Sequence, residues 1–130
     1  MAPTRSLLYD TRLLIIEDEA LIAMLLEDFA VELGCRVSMT AATTGQALLA
    51  IETFGPQMAL VECSLNQCGP QFVVADTLAD AMIPFIFTSR HDISVLPARH
   101  HSQNFLAKPF SAEALKSTIL RVRADQPFQA

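Results

Sequence analysis

The sequence predicts an α/β domain built on a doubly wound, five-stranded parallel sheet. Three observations carry this expectation. Short apolar runs alternate with longer helical stretches, the pattern of a parallel sheet joined by right-handed crossovers. The apolar runs are mostly unbroken, as expected of strands covered on both faces. Polar residues with chemical potential stand where those runs end, and doubly wound sheets bind ligands at the carboxyl ends of their strands.

The first strand is Leu13-Leu14-Ile15-Ile16, followed by Glu17 and Asp18. Residues Glu19 to Leu33 read as a helix, with Leu21, Leu25, Phe29 and Leu33 recurring every four residues, Ile22 and Leu26 beside them, and Gly34 as its stop. Glu27, Asp28 and Glu32 can take the wet side. Arg36 to Thr40 alternates as a short strand. A second helix begins at Thr43 or Thr44, either a good cap, and ends before Gly55-Pro56. The third strand, Met58-Ala59-Leu60-Val61, ends in Glu62. A loop from Cys63 to Gly69 follows, and Gly69-Pro70 is expected to open the third helix, with Pro70 in its first turn. The fourth strand, Ile83 to Phe87, leads into Thr88. Phe105-Leu106-Ala107 is the fifth and leads into Lys108. Ser111 caps a last helix in which Leu115, Ile119 and Val122 share a face.

The stretch between Ser89 and Gln103 fits least well. Pro97 interrupts any regular helix, and few apolar residues repeat at helical spacing. A short or irregular fourth helix is expected, with Asp92 to Ser102 the least ordered internal segment. Arg90, Arg99, His91, His100 and His101 make it locally basic. The three histidines read as parts of a solvated polar loop, with a metal or pH-sensing cluster as the alternative.

The chain has 130 residues, the size of one domain, and 52% of them are hydrophobic, enough for a core. Its net charge of −5 argues against direct contact with nucleic acid, which needs a clustered basic surface. No apolar run reaches membrane-spanning length, and Asp10 interrupts the apolar start, so no signal peptide is read and the cytoplasm is the expected compartment. Cys35, Cys63 and Cys68 are an odd number, which speaks against a structural disulfide framework. Cys63 and Cys68 share a loop and read as small loop residues, with a redox role as the alternative.

Four strand ends therefore carry an acid pair, an acid, a hydroxyl and a cation: Glu17 with Asp18, Glu62, Thr88 and Lys108. Glu17 and Asp18 supply the hard oxygen ligands that Mg²⁺ favours. Three crowded carboxylates repel one another, so a cation must offset them, either Mg²⁺ or Lys108. The same residue types would also serve a Mg²⁺-dependent phosphohydrolase, with glutamate as base toward water, but no substrate-binding insertion or lid is evident.

This layout resembles the receiver domain of two-component response regulators, over residues 12–123, with 1–11 as an N-terminal extension and 124–130 as a short tail. The resemblance implies a flavodoxin-like strand order. It implies metal ligation by Glu17, Asp18 and the backbone carbonyl of Ser64. It places Thr88, Phe105 and Lys108 as the switch residues and Glu62 where the family carries its phosphate-accepting aspartate. Glutamate is longer by one C–C bond, about 1.5 Å. Displacements of about 1 Å can cost on the order of a hundredfold in rate, so the chain reads as an atypical receiver whose Glu62 cannot be phosphorylated in the ordinary way. The same extension carries negative charge toward Lys108, where it can imitate part of the phosphorylated state. A Glu62–Lys108 pair is the expected resting arrangement. Asn66 replaces a proline frequent in the family, in a loop one residue shorter than common.

The expected function is signalling by protein–protein interaction, without enzymatic activity. The expected partner is a histidine kinase, a phosphotransferase or an effector, docking over roughly Asp92 to Arg123. With so short a tail, output would pass through another protein. A structural scaffold that does not switch is the other reading.

Overall fold

The computed structural model describes residues 11–35, 37–65, 69–70, 72–90, 94 and 96–125. Five parallel strands form one sheet: β1 (Arg12–Ile16), β2 (Val37–Ala41), β3 (Met58–Glu62), β4 (Phe85–Ser89) and β5 (Asn104–Ala107). Their spatial order is β2-β1-β3-β4-β5, the flavodoxin-like order that the receiver resemblance implies. Four α-helices cover it: α1 (Ala20–Glu32), α2 (Thr44–Phe54), α3 (Phe72–Asp80) and α4 (Ala112–Ala124).

The unbroken apolar runs are explained by the two-sided burial. Side chains of a strand alternate between faces. Leu14 and Ile16 of β1 join Ala47 and Ala50 of α2 and Val74 and Leu78 of α3 in one core. Leu13 and Ile15 join Leu26 and Ala30 of α1 and Leu115, Ile119 and Val122 of α4 in the other. Every residue of β3 and β4 is buried.

Helix ends follow local chemistry. The Thr43 side chain accepts a hydrogen bond from the Gln46 amide at 3.1 Å, and Ser111 accepts one from the Ala114 amide at 3.0 Å. Gly55 closes α2 at φ 64°, a left-handed conformation that glycine adopts without a Cβ clash.

Two expectations for the helices are corrected. The apolar stripe read for α1 holds only in part: Leu26 is buried and Ile22, Phe29 and Leu33 pack partly buried against the core, but Leu21 and Leu25 do not. Leu21 is 76% exposed and Leu25 53% exposed, whereas Ala23, Leu26 and Ala30 are buried. A four-residue repeat drifts by about 40° per step around a 3.6-residue helix, so Leu21 and Leu33 cannot share the buried face. The i, i+3, i+7 line of two alanines and a leucine sets α1 close against the sheet. Leu26→Ala is therefore expected to cost about 2–5 kcal/mol, and Leu21→Ala no more than about 0.5 kcal/mol. Equal shifts of the urea midpoint in the two variants would refute this assignment. The second correction concerns α3, which begins at Phe72 and not at Gly69-Pro70. Gly69–Pro70 instead pairs antiparallel with Ser64–Leu65. Proline's fixed φ suits an extended edge as well as a helical first turn.

A 3-10 turn, Ala98–His100, stands where a fourth helix was in doubt, with Pro97 just before it. The described part of this segment packs against the sheet: Leu96 sits in a hydrophobic core, and His100 is only 2% exposed. Residues 91–93 and 95, the loop residues Asn66, Gln67 and Cys68, and the terminal residues 1–10 and 126–130 lie outside the described residues. No described helix is long and apolar enough to cross a membrane.

Candidate functional site at the strand ends

The crossovers bring the strand-end residues together. Glu17 follows β1, and its amide donates to the Ala41 carbonyl at the end of β2, at 3.0 Å. Glu62 ends β3, and Thr88 is its register partner on β4. The Cys63 amide donates to the Thr88 carbonyl at 3.0 Å, and the Lys108 amide donates to the Ser89 carbonyl at 2.6 Å. Lys108 follows β5 and precedes Pro109 through a cis peptide bond. Backbone pairing thus fixes the origin of each functional side chain.

The central feature is an ion triad. Lys108 Nζ donates to Glu17 Oε1 at 2.8 Å and also contacts Glu62 Oε2. The Glu62–Lys108 pair expected from the sequence is therefore present. Glu17 is 2% exposed and Glu62 5% exposed, so an ammonium lies between two nearly dry carboxylates. The Glu19 amide donates to Glu17 Oε2 at 3.2 Å. Burial raises the pKa of Glu17 above the usual carboxylate range; the Lys108 hydrogen bond and the Glu19 amide oppose this, and the charge of Glu62 adds to it. For Lys108, burial is the largest single influence and disfavours the ammonium, but the hydrogen bonds and charges of Glu17 and Glu62 together outweigh it and raise the pKa.

Thr88 is fully buried at the end of β4. Phe105 pairs in register with Phe87 and packs half-buried against the core on the α2 and α3 side. Asp18 is partly buried beside Glu17, and Ser64 lies two residues past Glu62 in the short strand paired with Pro70. The structure thus brings Glu17, Glu62 and Lys108 into contact and places Thr88 beside them.

Three features were missed by sequence reasoning. Arg90 and Glu19 form an ion pair near the triad. An apolar groove of about 490 Å³ opens beside Lys108, between Ile22, Leu25 and Phe29 of α1 and the Pro109-Phe110 bend. On the far side of β4, Asp76 of α3 takes the Arg99 guanidinium on both carboxylate oxygens at 2.9 Å and the His100 ring Nε2 on Oδ1 at 2.7 Å. His100 is thus a buried, bonded residue and not part of a solvated loop. The Arg99 hydrogen bonds, followed by that of His100, hold Asp76 down at about 2. These pairs are far apart in sequence, and nothing in the chain's local patterns marks them.

Comparison with known proteins fits this geometry. No family model and no curated protein matched the chain. Solved structures did. The PhyR response regulator receiver domain of Erythrobacter litoralis superposes with a TM-score of 0.79 at 27% identity, over 94% of this chain and 98% of that one. SdrG from Sphingomonas melonis Fr1 is 33% identical over 86% of this chain and 95% of that one, with a TM-score of 0.74. The chain belongs to the receiver domains of response regulators. The anti-anti-sigma factor PhyR from Bartonella quintana is also similar, at 28% identity and a TM-score of 0.74, over 92% of this receiver domain and 50% of that chain. This receiver therefore spans about half the length of that relative.

Receiver domains generally bind Mg²⁺ at the phosphorylation site. The donor set here is chemically suited to it. Adjacent acidic residues at a strand end match a cation that takes one or two carboxylates and keeps several waters. Among the described residues no three metal-ligating side chains cluster. Glu17 also places Oε1 on Lys108 and Oε2 on the Glu19 amide, so Mg²⁺ would compete with existing bonds.

Proposed function

We propose that this receiver acts in signal transduction by binding protein partners, and that Glu62 stands where other receivers carry the phosphate-accepting aspartate. The observation that carries the reading is the Glu62–Lys108 contact in the buried triad. In this reading the Glu62 carboxylate sits where a phosphoryl group would meet the lysine. It imitates that group in part, with one charge and two oxygens. Glu17, Asp18 and the Ser64 carbonyl are the proposed Mg²⁺ ligands, and the ion would supply charge neutralisation. Thr88, Phe105 and Lys108 are the proposed switch residues.

The proposed partner surface runs over the segment from Asp92 through α4, whose last turn carries Arg121 and Arg123. A histidine kinase, a phosphotransferase or an effector is the proposed kind of partner. The Bartonella relative's description as an anti-anti-sigma factor supports a narrower proposal, a partner among proteins that control sigma factors.

The reading is tested by incubating the wild-type protein with acetyl phosphate and Mg²⁺ and measuring intact mass. No phosphoryl adduct is expected. A labile adduct mapped to Glu62 would overturn the proposal. Metal titration followed by NMR separates a conditional switch from a rigid scaffold. Resonance changes at Thr88 and Phe105 are expected, and their absence favours the scaffold.

A further inference from the structure

The buried histidine on the far side of β4 has no role in the triad. His100 packs among three aromatic rings, with centroids 5.6 Å from Phe87, 6.3 Å from Phe85 and 6.5 Å from Phe72. Its Nε2 meets Asp76 at 2.7 Å. Its Nδ1 is buried with no hydrogen-bond partner among the described residues. The ring therefore has one polar anchor. Without Asp76 the ring keeps no hydrogen-bond partner within the protein, and Nε2 must turn to water through the part-exposed place that Asp76 leaves. Asp76 also holds Arg99, the preceding residue of the same turn, through two bonds of 2.9 Å.

What the turn touches gives the clasp its meaning. Phe87, which the His100 ring meets edge-on, directly precedes Thr88 and is the register partner of Phe105. The Ala98–His100 turn lies on the chain segment joining those two residues. A contact path thus runs from Asp76 through His100 to Phe87, and from there to both proposed switch residues.

We propose that Asp76 is a positioning residue that clamps the Ala98–His100 turn against β4 and thereby sets the resting arrangement of Thr88 and Phe105. The clasp replaces the anchoring that a full fourth helix would give. It acts from the outer side of β4, while Glu62 and Lys108 act from the strand ends. The proposal rests on the functional reading above in taking Thr88 and Phe105 as switch residues.

The test uses the intact protein alone, with no phosphate donor, metal or partner. Its outcome is therefore independent of whether Glu62 accepts phosphate. Hydrogen exchange and amide resonances are compared for wild type, Asp76→Ala and Asp76→Ala with His100→Phe. The Asp76→Ala variant is expected to lose protection by about tenfold or more at the amides of His100, His101 and Gln103, with β1 and β3 unchanged. The Thr88 and Phe105 amide resonances are expected to shift in the same variant. Adding His100→Phe should restore both, because a phenyl ring fills the aromatic cage without needing an acceptor. Wild-type protection in the turn, or unmoved resonances at Thr88 and Phe105, would overturn the proposal. So would an equal loss of protection across β1 and β3, or failure of His100→Phe to restore the wild-type pattern, since either would mark Asp76 as a general stabiliser.

Discussion

Lys108→Met is expected to destabilise the fold by about 3–5 kcal/mol at neutral pH, the range found when one partner of a buried ion pair is removed. Methionine keeps much of the stem but leaves Glu17 and Glu62 facing each other in a nearly dry site. The loss should also depend on pH. In the wild type the pKa of Lys108 is raised, so its stabilising contribution is intact below 10.5 and is lost as pH rises through the higher folded value. Between pH 5 and 7 that contribution is constant. Glu17 behaves oppositely to an ordinary paired carboxylate. Its folded pKa is raised above 4.5, so its contribution is present below that value and is lost as pH rises through the folded one. Without the lysine, Glu17 loses the hydrogen bond and charge that oppose its burial and is pushed further in that direction. Acidification from pH 7 to 5 should therefore narrow the gap between variant and wild type. Urea titrations at the two values measure this. A gap below about 1 kcal/mol at pH 7, the range of an exposed pair, would mean that the carboxylates are hydrated. A gap that does not narrow would mean that their charge is not the cause.

Glu62→Asp is expected to convert the protein into one that takes phosphate from acetyl phosphate with Mg²⁺. Shortening the side chain withdraws the carboxylate from Lys108 by about 1.5 Å, one C–C bond. The lysine keeps its 2.8 Å bond to Glu17 and remains available as a fixed donor to the incoming group. Correct placement of a nucleophile is worth on the order of a hundredfold for about 1 Å, so the variant should accumulate adduct at least that much faster than wild type. Intact-mass measurements, with base lability as the sign of an acyl phosphate, provide the readout. A folded Glu62→Asp variant with no adduct would show that side-chain length alone does not block the reaction.

The parallel sheet was legible because strand and helix signals alternate and each apolar run is long enough for one buried strand, and its order followed from the resemblance to receiver domains. The helix starts at Thr43 and Ser111 were legible because capping is a local interaction over three residues. The same locality made Pro97 a reliable interruption. It failed in part for α1, where Leu21 and Leu25 of the leucine repeat are exposed and Ala23 and Ala30 share the buried face with Leu26. Hydrophobicity in sequence cannot say how closely a helix will approach a sheet, and close approach favours small side chains over large ones. It failed again at Gly69-Pro70, where proline suits two backbone states equally.

By itself the sequence determined which residues arrive at the carboxyl ends of the strands. Strand polarity and right-handed crossovers fix that without reference to side-chain contacts. It thus supplied Glu17, Asp18, Glu62, Thr88 and Lys108 as one group, and the expectation that Lys108 would answer Glu62. Only the tertiary structure decided how the charges are shared. Lys108 contacts both Glu17 and Glu62, and the Glu19 amide takes the remaining Glu17 oxygen. Only it revealed the Asp76, Arg99 and His100 clasp, whose aspartate lies more than twenty residues from the other two. The physical reason is the same in both cases. A hydrogen bond depends on distances of a few tenths of an ångström between groups brought together by packing, and no local pattern in the chain encodes them.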